Sequence, residues 1–180
     1  MKLSKKPNWL VVLAMTCLLG FLGLNRYANR YYGREVLIKK HYIRPDYKID
    51  AWGNAGNLHL SKAANFANNR KWDQALAQLD SIFPLDPIFG KAKLLSTFIY
   101  FEQGKYAYSR DLAKSLLSLR DKRLKYFSNW LHILSNVGLG DVRLAKEQLN
   151  IIKEDKSKRF SPEMESLLKD LNHPLVYFVF

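Results

Sequence analysis

The sequence predicts an all-α chain: an N-terminal single transmembrane helix, then a solenoid of about three helical hairpins with a C-terminal capping helix. Three observations carry this. An uncharged apolar run follows three lysines near the start. A hairpin signature then recurs at spacings of 34 and 36 residues. Near the end, a Ser-Pro helix start leads into one last apolar stripe. The signature has bulky, small, apolar and apolar residues at offsets 0, +3, +7 and +10. Trp72, Ala75, Leu79 and Ile82 form the first copy, and Tyr106, Ser109, Ala113 and Leu116 the second. Val142, Ala145, Leu149 and Ile152 form the third. A fixed period of this length marks stacked helix pairs, each burying its apolar face on the next. Such stacks bind other molecules and seldom catalyse.

The 180 residues suffice for one modest domain plus an appendage, and 48% hydrophobic residues can furnish its core. The net charge of +13 is unevenly spread. Residues 1–54 hold ten Lys/Arg against three Asp/Glu, while residues 55–180 hold nineteen against thirteen. A basic front third suits a segment lying beside anionic lipid. Nucleic acid is the competing partner for such charge.

Residues 1–24 read as a basic start and an anchor. Lys2, Lys5 and Lys6 precede Trp9–Leu24, sixteen residues with Thr16 as the one side-chain hydroxyl. As a helix this stretch spans about 24 Å, short of a hydrocarbon core of about 30 Å. Trp9, Tyr27, Tyr31 and Tyr32 can occupy the interfaces, and Arg26 and Arg30 can snorkel outward to lengthen the span. A cleaved signal peptide shares the basic start and apolar core. The exit does not suit it, because the nearest small-x-small candidate is Asn25-Arg26-Tyr27-Ala28. Cys17, the one cysteine, follows Thr16 where a lipid-acceptor site wants a small residue. The expected location is therefore a membrane, single-pass, with residues 9–24 in the bilayer. Positive charges on the two sides nearly balance, so they do not set orientation. A short basic start before an apolar run reads as a signal-anchor. In a bacterium that leaves the repeats on the periplasmic side of the inner membrane.

Residues 25–54 form a connector rich in aromatic and basic side chains. Asn25–Ile38 can extend the anchor helix, Arg44-Pro45-Asp46 stops it, and Gly53, Asn54 and Gly56 loosen the chain before the first repeat. Tyr27, Tyr31, Tyr32, Tyr42, Tyr47 and Trp52 are expected at the membrane interface or against the first solenoid helix. Base stacking is the alternative use of such a mixture.

Residues 55–172 read as three helix pairs and a cap. The first pair covers about 55–68 and 72–83, closed by Pro84-Leu85-Asp86-Pro87. The second covers about 87–103 and 106–119, with Gly104 ending its first helix. The third covers about 123–138 and 141–154, with Gly140 and Asp141 as turn and N-cap. Ser161 before Pro162 starts the capping helix, whose Met164, Leu167, Leu168 and Leu171 share one face. Ala75, Ser109 and Ala145 are small because the second helix of each pair crosses the first closely. The bulky residue three places earlier fills the wedge at the turn.

These residues together resemble the tetratricopeptide repeat family. The resemblance rests on Trp72-x-x-Ala75-x-x-x-Leu79-x-x-Ile82 with Pro87 following, on Gly104-Lys105-Tyr106-x-x-Ser109, and on Gly140-Asp141-Val142-x-x-Ala145-x-x-x-Leu149. Phe66 and Tyr100 stand where the family has an aromatic in the first helix; the third copy departs from this with Asn136, and Ala113 is smaller than usual. One anchor, a connector and about three repeats also resembles small membrane-anchored repeat proteins of bacteria, Bacteroidetes in particular. The resemblance implies a concave ligand face lined by the first helix of each pair. It implies a candidate partner groove of Leu94, Phe98, Phe101, Phe127, Trp130 and Leu134. The same stripe at helical spacing equally suits core packing.

Residues 173–180 form an apolar tail, which must pack on its own solenoid, a partner or the membrane to avoid aggregation. His41, His59, His132 and His173 are scattered without metal-ligand spacing, and no phosphate loop or nucleophile motif occurs. No catalytic, cofactor-binding or metal-binding residue is assigned, and none of these chemistries is expected. The expected function is protein–protein interaction as a membrane-anchored adaptor, assembly factor or scaffold. The alternatives are a permanent subunit of a larger membrane complex and, third, a basic repeat protein binding nucleic acid.

Overall fold

In a computed structural model, which describes residues 9–45, 58–155 and 161–180, the apolar run folds as one helix, α1 (Trp9–Tyr32). Its 24 residues give a length of about 36 Å, more than the hydrocarbon core needs. The extra length comes from Asn25–Tyr32, which continue the helix beyond the apolar stretch. Side chains from Trp9 to Phe21 are exposed all round, where a helix of a water-soluble domain would bury one stripe. Burial within α1 begins at Ala28. Among the described residues this is the helix long and apolar enough to cross a membrane. The lysines Lys2, Lys5 and Lys6, the connector residues Tyr47, Trp52, Gly53, Asn54 and Gly56, and Lys156, Lys158 and Arg159 lie outside the described residues.

A second helix, α2 (Arg34–His41), follows after a one-residue break at Gly33. A Cβ at Gly33 would stand 2.5 Å from the Asn29 carbonyl oxygen, so the bend requires glycine. The remaining helices are α3 (Leu58–Asn68), α4 (Trp72–Asp80), α5 (Phe89–Glu102), α6 (Tyr106–Leu116), α7 (Lys122–Leu139), α8 (Val142–Glu154) and α9 (Pro162–Leu171). A short 3-10 helix spans Pro174–Phe178. No strand occurs among the described residues.

One turn geometry recurs three times, between α3 and α4, α5 and α6, and α7 and α8. Residues Arg70, Gly104 and Gly140 take positive φ values of 56°, 71° and 86°. The next amide then donates to the carbonyl five residues back. These bonds are Lys71 to Phe66 at 2.8 Å, Lys105 to Tyr100 at 2.9 Å and Asp141 to Asn136 at 2.8 Å. This left-handed termination satisfies carbonyls that a helix end would otherwise leave bare. The small residues behind each turn, Ala75, Ser109 and Ala145, are fully buried, and Ser135 donates to the Ser109 hydroxyl at 3.1 Å. Trp72 and Tyr106 are half-buried at their turns, and Val142, Leu79 and Leu149 are buried.

Helix α3 packs on α4, α5 on α6 and α7 on α8, while α5 also touches both α3 and α7. Helix α9 lies on α8 and buries Met164, Leu167, Leu168 and Leu171. Ser161 caps it by accepting from the Met164 amide at 3.3 Å, with Pro162 in the first turn. Two expected helix starts differ. Asp141 makes no side-chain cap bond to α8, because the backbone turn at Gly140 already organises that end. Helix α5 begins at Phe89 rather than at Pro87, since Asp86 accepts from the Ile88 amide at 2.9 Å and holds a turn there.

Candidate functional site

The six residues expected to line a groove do not form an open one. Leu94 and Leu134 are fully buried, Phe98 and Phe101 nearly so, and Phe127 and Trp130 are half-buried against the core. Helices α5 and α7 are in direct contact, and the Phe98 and Phe127 rings meet edge-on with centroids 6.2 Å apart. Phe98 and Phe127 thus pack between the two helix pairs, while Phe101 packs on Tyr42 and Tyr106. Phe127 and Trp130 keep partly exposed flanks.

The structure instead draws the connector and the tail onto one edge of the helical domain. Helix α2 packs on α7 and α9, and the chain after it runs past the hairpin turns. Near the third turn, a Cβ added at Gly140 would stand 3.8 Å from Arg34 Nη1 and 3.9 Å from the Phe180 ring, so both side chains lie beside that turn. At the second, the Tyr42 ring lies 4.7 Å from Phe101, and the Tyr42 hydroxyl donates to Glu102 Oε1 at 2.8 Å. Arg44 Nε is 3.1 Å from the same carboxylate oxygen. At the first, Arg44 Nη2 donates to the Ala67 carbonyl at 2.8 Å, and its guanidinium lies 5.6 Å from the Trp72 ring centroid. The connector aromatics were expected at the membrane interface or against the first solenoid helix. The observed contacts spread over all three turns, because Leu37, Ile38 and Tyr42 present one apolar face along that edge.

Two clefts lie along this seam. One of about 460 Å³ is walled by Arg34, Glu35, Tyr106 and Gly138, among others. The second, about 380 Å³, is walled by Arg44, Arg70, Trp72, Glu102 and Tyr106. Burial raises the Tyr106 hydroxyl above its ordinary pKa and the Glu35 charge adds to this, with Arg34 opposing. The hydroxyl stays protonated at physiological pH. Among the described residues no group of three His, Cys, Asp or Glu converges as a metal site.

Asp170 on α9 secures the seam's far end. Lys40 Nζ and His41 Nε2 stand 2.7 Å and 2.6 Å from Asp170 Oδ2, and His41 is buried. Burial would raise the Asp170 pKa, but the bonds from Lys40 and His41 outweigh it and hold the carboxyl below its ordinary value. The tail closes on α1. Asn25 Nδ2 donates to the Phe178 carbonyl at 2.6 Å, the Phe21 and Phe178 rings are 6.3 Å apart, and His173 stacks on Tyr32 at 4.2 Å. Val176 is buried, and Phe180 packs against the core. Part of the tail thus packs on its own chain, while Tyr177 stays exposed. Sequence reasoning missed the pairings of Lys40 and His41 with Asp170 and of Tyr42 and Arg44 with Glu102, which join distant segments and leave no local signature.

Deeper in the third pair, Asn136 Nδ2 donates to Gln148 Oε1 at 3.0 Å, and Gln148 Nε2 lies 3.0 Å from His132 Nδ1. Burial, reinforced by Lys114 and Arg110 and opposed by Asp111, lowers the His132 pKa. This polar network fills the place that an aromatic holds in the other two pairs.

No protein-family model, curated protein or solved structure matches this chain.

Proposed function

We propose that this is a membrane-anchored tetratricopeptide-like module that binds a protein partner, as an adaptor, assembly factor or scaffold. The observation that carries the reading is the strapping of the helical domain to its own anchor. Contacts at Phe21, Asn25, Tyr32, His41, Tyr42 and Arg44 fix the domain relative to α1. A domain held in one pose above a bilayer is a platform. Among the described residues beyond α2, Phe83 and Leu85 are the most exposed of the large apolar side chains, at 79% and 98%. They lie between α4 and α5, at the end of the first hairpin remote from the Trp72 turn. The reading assigns them to the partner contact because two strongly exposed apolar side chains share one short turn, and grouped apolar exposure is what marks an interaction surface.

The test is purification of the full chain from its native membrane in mild detergent, with quantitation of co-eluting proteins at high salt. The expected result is one near-stoichiometric protein, lost when Phe83 and Leu85 are both replaced by Ser. A chain that elutes alone, or a partner indifferent to those replacements, would contradict the assignment. Retention of nucleic acid that falls steeply with salt would favour the basic-repeat reading instead.

A further inference from the structure

We infer that the C-terminal 3-10 helix, Pro174–Phe178, is a second membrane contact: it lies in the headgroup boundary of the leaflet through which α1 exits. The inference rests on the reading of α1 as a bilayer-spanning anchor and adds to it a partner for the tail. Phe178 touches Phe21, within the apolar stretch, while its carbonyl accepts from Asn25, just beyond that stretch. Four residues of helix separate these two levels by about 6 Å. Phe178 therefore straddles the depth at which hydrocarbon gives way to headgroups, and it is 37% exposed there.

The neighbouring side chain has little protein cover. Tyr177 is 77% exposed, and Lys146 Nζ lies 5.1 Å from its ring centroid. A ring with a hydroxyl tip beside an ammonium group suits the interfacial layer, where the ring meets acyl chains and the charges meet phosphate. Tyr27 and Tyr31 are exposed on α1, their rings 4.7 Å apart, and Arg26 and Arg30 are exposed beside them. In water, Tyr177 and Phe178 would be an apolar liability next to a basic stem. Against an anionic bilayer both features become favourable, since apolar contact and charge attraction act together. The occupant assigned is lipid, because continuity with α1 sets the depth and the charge sign fits.

The experiment uses the full chain with Cys17→Ser, reconstituted into vesicles of equal parts phosphatidylcholine and phosphatidylglycerol. Single cysteines at Leu18, Tyr177 or Leu85 carry an environment-sensitive fluorophore, and lipids bearing a nitroxide either near the headgroup, for Tyr177, or along the acyl chain, for Leu18, act as quenchers, both being tried at Leu85. All three sites are exposed, so labelling leaves the packing intact. The expected result is loss of fluorescence at Leu18→Cys and Tyr177→Cys and none at Leu85→Cys. Quenching at Leu18→Cys without quenching at Tyr177→Cys would overturn this inference and leave the anchor standing. Absence of quenching at both would overturn both. A benzoylphenylalanine in place of Tyr177 gives an independent reading, since irradiation must attach it to lipid. Attachment only to protein would contradict the assignment.

Discussion

Arg70 holds a φ of 56° where the other two turns carry glycine. A left-handed residue with a Cβ is strained, and Arg70 is exposed, so its side chain has little packing to lose. Arg70→Gly should therefore stabilise the protein by about 1 kcal/mol, read as a raised unfolding midpoint in denaturant. Gly138 is the opposite case. A Cβ there would come within 2.6 Å of the Tyr106 ring. Gly138→Ala should cost about 1–3 kcal/mol, and pairing it with Tyr106→Leu should recover part of the loss. His132 supplies a pH test. Its folded pKa lies below the ordinary value of 6.5, so the unfolded chain takes up the proton first as pH falls. Stability should then decline below about pH 6.5. A His132→Gln variant should lack that decline, and thermal melts across pH would show it. The signature positions Ala75, Ser109 and Ala145 were legible in the sequence because close helix crossing demands small side chains at fixed offsets. The aromatic stripe was not legible in the same way. Groove and core share one periodicity, and only the contact of α5 with α7 distinguishes them.

At the scale of elements, the three turns were readable from Gly104, Gly140 and their spacing, and the capping helix from Ser161 and Pro162. The docking of α2 was not. His41 and Asp170 are 129 residues apart, and no local pattern announces such a pair. Asp170→Asn should loosen α2 from α9 and cost about 1–2 kcal/mol, with faster amide exchange in residues 34–41 as the readout. The sign with pH is set by the depressed carboxyl pKa. The pair's contribution is fully present above the unfolded value of about 4 and is lost as pH falls through the lower folded value. Two separate windows result, one beginning near pH 6.5 from His132 and one below about pH 4 from Asp170. Each should vanish only with its own substitution.

At the scale of the molecule, an anchor helix, a stem and a helical domain are joined at one edge. The long apolar helix was legible because sixteen residues from Trp9 to Leu24 carry no charge. Their fixed relation to the domain was not, because it depends on Tyr42, Arg44 and the tail meeting three turns. On the proposed reading, that relation makes the chain a platform rather than a domain on a flexible tether. Its most direct test is the distance between nitroxide labels at Tyr27→Cys and Leu85→Cys, with Cys17→Ser, in the full chain reconstituted in a bilayer and measured by pulsed electron spin resonance. Both sites are exposed, one on the anchor's exit and one at the far end of the first hairpin. A single narrow distance distribution is predicted, broadened by Asp170→Asn. A broad distribution in the unaltered chain would mean that the domain swings freely on its anchor, and the platform account would be wrong.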